Sequence, residues 1–125
     1  MRRLLLFTVI LFSSLISCDN CNCSNNQPYG EITLKVTIND ENPEVFVTVF
    51  NDVIEKRDTV KAEWVSSSEI KYYMPAGNFY SATAYYYHNG RDYYAVDGKE
   101  MSVSSSSNCE CDMASNIRLN LKLTE

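Results

Sequence analysis

Histidine and tryptophan each occur once in 125 residues, proline three times and glycine four times. His88 is the only imidazole, and there is no Gly-rich phosphate loop and no Gly-x-Ser-x-Gly turn. The usual constellations of nucleophilic and nucleotide chemistry are therefore missing. Asp92, Asp97 and Glu100 offer a carboxylate pair only near turn residues, where acidic side chains are ordinarily solvated. No catalysis and no cofactor is expected. Basic side chains are scarce as well, eleven against sixteen acidic ones. That balance argues against nucleic acid, whose phosphates are bound through Lys and Arg, and against electrostatic docking onto anionic lipid. No apolar run reaches the ~20 residues that span a bilayer. Beyond the first 17 residues no stretch carries a persuasive helical period.

What is present begins with an address. Arg2 and Arg3 precede an apolar run from Leu4 to Ile16, which has the length of a signal-peptide core. It closes on Leu15-Ile16-Ser17-Cys18, which resembles the lipobox of a bacterial lipoprotein. The resemblance implies cleavage before Cys18, acylation of that cysteine, and anchorage to membrane lipid. It places the protein in the cell envelope, most simply at the outer membrane on its periplasmic or surface face. Residues 1–17 are then signal, 18–29 a lipidated arm, and 30–125 one domain. The 108 residues left after cleavage carry nine basic and sixteen acidic side chains, a net charge of −7.

With Cys18 set aside for lipid, four cysteines remain as two pairs, Cys21-Asn22-Cys23 and Cys109-Glu110-Cys111. Outside the cytoplasm such thiols are expected to be oxidised. Pairing inside a Cys-x-Cys closes a strained small ring, which leaves two cross-chain solutions. An antiparallel alignment joins Cys21 to Cys111 and Cys23 to Cys109, and a parallel one gives the other set. A bridge closing a loop of about 100 residues is worth roughly 4 to 5 kcal/mol by loop entropy. Only Asp19 and Asn20 separate the anchor from the first of these cysteines, so the body would start within about 10 Å of the lipid. The alternative is a periplasmic metal site of the four thiolates with Met113 or His88, although Cys-x-Cys is not the usual zinc spacing. No metal is assigned.

From Glu31 onward the chain alternates. Ile32, Leu34, Val36 and Ile38 take one face, and Glu31, Thr33, Lys35 and Thr37 the other. Val45, Val47 and Val49 mark a second strand after the turn chemistry at Asn39–Pro43. Further strands are predicted at 59–66, 69–74, 79–87, 92–97 and 99–103, and a last one on Ile117, Leu119, Leu121 and Leu123. Ser104–Ser107 reads as a loop tip. Asn89-Gly90 is the strongest hairpin signal and fixes a register in which Tyr86 faces Tyr93 and Tyr85 faces Tyr94. Tyr80, Ala82, Ala84, Tyr86, Tyr93 and Ala95 then share the face expected to be buried. The fold class is all-β, a seven- to eight-stranded antiparallel Greek-key sandwich.

Pro43-Glu44-Val45-Phe46-Val47-Thr48-Val49-Phe50, with Met74-Pro75-Ala76-Gly77-Asn78-Phe79-Tyr80, resembles the prealbumin-like domains related to carboxypeptidase regulatory domains. The likeness covers about residues 30–123 and implies a Greek-key sandwich acting as a structural or binding module. The long 51–70 segment, the tyrosine load and the terminal cysteine pairs depart from it, leaving an immunoglobulin-like topology open. Asp58-Thr59-Val60 is similar to the O-glycosylation acceptor of Bacteroidetes-type envelopes, which makes Thr59 a candidate modification site.

Eight of the nine tyrosines lie between Tyr72 and Tyr94. A tyrosine offers a broad apolar ring and a hydrogen-bonding tip, which suits sugar rings and protein partners alike. Tyr85, Tyr87 and Tyr94, extended by Tyr73, form the candidate binding face. Two roles are consistent with these readings: a lipid-anchored binding module for a protein or carbohydrate ligand, or a structural lipoprotein of a membrane complex.

Overall fold

The computed structural model describes residues 27–105 and 112–124, and every structural statement below refers to these. The alternating segments form nine strands: β1 (Tyr29–Val36), β2 (Val45–Asn51), β3 (Thr59–Val65), β4 (Glu69–Pro75), β5 (Asn78–His88), β6 (Arg91–Met101), β7 (Val103–Ser105), β8 (Asp112–Ala114) and β9 (Ile117–Leu121). A single 3-10 turn, Ile54–Lys56, is the only helical element among them. The protein is all-β.

The strands order as a three-stranded sheet β4-β1-β9, a four-stranded sheet β3-β2-β5-β6 and a two-stranded ribbon β7-β8. One core serves both larger sheets. Ile32, Leu34 and Val36 of β1 and Leu119 and Leu121 of β9 join Val45, Val47 and Val49 of β2 and the inner face of β5. On β5 that face is Tyr80, Ala82, Ala84 and Tyr86, all buried, with small residues between two large rings. Both rings reach the other sheet. Tyr86 Oη donates to the Leu121 carbonyl at 2.5 Å and accepts the Thr37 N–H at 2.9 Å, while Tyr80 Oη donates to the Pro75 carbonyl at 2.5 Å. Tyr72 of β4 donates its hydroxyl to Glu63 of β3, joining the sheets at their outer edges.

The tyrosine hairpin has the register its turn dictates, with Tyr86 opposite Tyr93, Tyr85 opposite Tyr94 and Ala84 opposite Ala95. Asn89 and Gly90 both take positive φ, 52° and 78°, as a two-residue turn matched to strand twist requires. β1 stops at Val36 rather than Ile38, because the next amide, on Thr37, is taken by Tyr86. Ile38 still packs on the core.

Four expectations need correction. Tyr93, expected on the buried face with Tyr86, is 39% exposed, since β6 is the edge strand of its sheet. The sheets are not purely antiparallel: β1 and β9 pair in parallel, Ile32 opposite Ile117 through Val36 opposite Leu121. β6 carries the chain back to the end where β1 starts, and the ribbon turns it across, so β9 enters from the same end as β1. The two strands predicted at 92–97 and 99–103 are largely one, β6, running through Gly98. A Cβ at Gly98 would lie 2.8 Å from the Phe79 ring and 3.3 Å from the Tyr80 carbonyl oxygen. This glycine marks a close approach and not a turn. Ser104 and Ser105 belong to β7, paired with Met113 and Asp112, and not to a loop tip.

Candidate functional site

The outward face of the four-stranded sheet is set by the same alternation that fills the core. With the valines of β2 turned in, Phe46, Thr48 and Phe50 turn out. Register then aligns one aromatic from each strand in a single row: Trp64 on β3, Phe46 on β2, Tyr85 on β5 and Tyr94 on β6. The Phe46 and Trp64 centroids are 5.4 Å apart in an edge-on contact, and those of Tyr85 and Tyr94 are 5.3 Å apart and tilted. The adjacent row is Ala62, Thr48, Thr83 and Val96.

Exposure varies across the row. Trp64 and Tyr94 at its ends are 59% and 67% exposed, whereas Phe46 and Tyr85 between them are half-buried. Tyr85 is held from the side, its hydroxyl donating to Asp92 Oδ1 at 2.6 Å. That bond pushes the Tyr85 hydroxyl pKa above its ordinary value and keeps it neutral. The Thr48 and Thr83 hydroxyls sit opposite each other and bond to no other described residue.

Of the tyrosines predicted to form the face, three are here: Tyr85, Tyr94 and the exposed Tyr87, near the hairpin turn. Tyr73 is not. It lies on β4 in the other sheet, exposed, 3.3 Å from Glu31 Oε2. Sequence spacing within one strand could not reveal which sheet the strand joins. Trp64 and Phe46 were missed, yet the signal was present: aromatics placed out of phase with buried valines must face outward.

No family model, no curated protein and no solved structure matches this chain. The site is therefore read from its own geometry.

An open cleft of about 470 Å³ lies at the tip of the tyrosine hairpin, lined by His88, Asn89, Tyr93, Leu123 and Thr124. His88 Nδ1 stands 3.0 Å from Glu41 there. Among the described residues no group of three or more His, Cys, Asp and Glu side chains could hold a metal ion. His88 and Met113, the two extra ligands of the metal reading, are at opposite ends of the domain. Cys18, Cys21, Cys23, Cys109 and Cys111 lie outside the described residues. Thr59 is exposed as the first residue of β3, separated from the 3-10 turn by Arg57 and Asp58.

Proposed function

We propose that this chain is a lipid-anchored, non-catalytic module of the cell envelope that binds an extracellular ligand or envelope partner through the outer face of its four-stranded sheet. The observation carrying the reading is the row Trp64–Phe46–Tyr85–Tyr94, four rings on four adjacent strands turned away from the core. Large rings in an ordered row are the side chains most able to supply binding energy. A Greek-key sandwich of the prealbumin-like kind is the fold reading that goes with it, supported by two sheets over a shared core.

Anchorage through Cys18 and bridging between Cys21, Cys23, Cys109 and Cys111 remain part of this proposal. The described chain flanking both cysteine segments supports bridging. Gly30 at the start of β1 lies so close to Ser115, just after β8, that a Cβ on it would be 2.6 Å from the Ser115 carbonyl oxygen. Thr59, exposed beside a turn, stays a candidate glycosylation site.

A photoreactive phenylalanine at position 94, compared with the same residue at position 73, tests the face in intact native cells. Adducts at 94 and not at 73 are expected. Equal yields, or none at 94, would remove the face from the function. Release of a Cys18→Ser variant from membranes is the matching test of the anchor, and its retention there would refute lipidation.

A further inference from the structure

We propose that the occupant of this face is a neutral, hydroxyl-rich glycan chain lying along the strands, a reading that rests on the binding face above and names its ligand class. The aromatic row ends in its two most exposed rings, Trp64 on β3 and Tyr94 on β6, and the central strands between them present half-buried Phe46, Tyr85, Thr48 and Thr83. Three strand spacings of about 4.8 Å make the row roughly 14 Å across at the backbone, wide enough for a sugar ring to lie on it.

Charge selects among occupants. Neither aromatic nor threonine row carries a formal charge, and Asp92, two residues from Tyr94 on β6, is engaged by Tyr85. The protein as a whole is acidic, with sixteen Asp and Glu against eleven Lys and Arg over the full sequence. A polyanion finds no cation in either row and a protein of net negative charge, while a cationic peptide finds no carboxylate in either row. Between an apolar protein surface and a neutral sugar, the two threonines decide. The Thr48 and Thr83 hydroxyls have no hydrogen-bond partner among the described residues, and covering them with apolar groups would strand both at a cost of roughly 1–3 kcal/mol each. Sugar hydroxyls replace the lost water, and the C–H faces of the ring lie against Trp64 and Tyr94.

An array of short neutral oligosaccharides of gluco, manno, galacto and xylo configuration, with heparin fragments as the polyanionic control, tests this on the purified protein. Binding to at least one neutral series and not to heparin is expected. Trp64→Ala or Tyr94→Ala should weaken it about tenfold with an unchanged far-ultraviolet spectrum. The double variant Thr48→Val and Thr83→Val, which keeps shape and strand preference, should weaken it too. Silence across the neutral series, or binding indifferent to these variants, overturns the glycan proposal. A protein adduct at position 94 in the cell experiment would then leave the binding face standing, and absence of both would remove the face as well.

Discussion

The side-chain amide of Asn42 is hydrogen-bonded to both backbone groups of Tyr87: Nδ2 donates to the carbonyl at 3.0 Å, and Oδ1 accepts the N–H at 3.0 Å. Asn42 is 5% exposed and precedes β2, so its amide continues the β2–β5 ladder where the β2 backbone has not yet joined it. Asn42→Ala leaves both Tyr87 groups without these partners and should cost roughly 1–3 kcal/mol. Urea unfolding should show a lower midpoint at unchanged slope. An unchanged midpoint would mean that solvent serves Tyr87 equally well.

Tyr86→Phe keeps the ring and removes the hydroxyl that ties Leu121 to Thr37. The expected loss is again about 1–3 kcal/mol, with a fall in Tm of about 4–8 °C per kcal/mol for a domain of this size. Calorimetry of the two proteins at one pH measures it directly.

Two glycines touch side chains or backbone that a methyl group would strike. At Gly30 a Cβ would lie 2.5 Å from Met101 Sδ and 2.6 Å from the Ser115 carbonyl oxygen; at Gly98 its nearest neighbour is the edge of a partly exposed Phe79 ring, at 2.8 Å. Gly30→Ala should therefore destabilise by about 1–3 kcal/mol, and Gly98→Ala by less, since the ring can swing into solvent. The reverse order in parallel denaturation curves would contradict this geometry.

Tyr72 sits between the sheets with its hydroxyl on Glu63, and partial burial followed by that bond pushes its pKa above the ordinary 10.0. Its neutral form is thus favoured by folding. The contribution is complete below the unfolded value and is lost as pH rises above it, because the unfolded chain ionises first. Stability should decline from about pH 10 upward, and Tyr72→Phe should flatten part of that decline in denaturation midpoints taken across the alkaline range.

Trp64 is the single tryptophan and is 59% exposed. Its native fluorescence should be red-shifted and readily quenched by acrylamide, and occupancy of the face should shift it blue and protect it. Trp64→Ala should alter stability by no more than about 0.5–1 kcal/mol, since it unmakes only a surface contact.

Strand identity was legible wherever one face is buried, because alternation at Ile32–Val36, Val45–Val49 and Ile117–Leu121 encodes it directly. The Asn89-Gly90 turn fixed the register of the longest hairpin. What could not be read was the partner of each strand. Glu31–Lys35 alternates identically whether its neighbour is antiparallel β4 or parallel β9, and it has both. The same gap misplaced Tyr73, whose strand belongs to the other sheet. Gly98 suggested a break because the Phe79 ring that fills its missing side chain is 19 positions away in the chain.

The parallel pairing of β1 and β9 has a mechanical meaning. The described chain enters at the Tyr29 end of one strand and leaves at the Leu121 end of its neighbour, the opposite pole of the domain. Tension between a fixed N-terminal end and anything grasping the C-terminal end would slide β1 against β9 along their length. Their five register pairs would then be loaded in shear together, and would not peel apart one bond at a time.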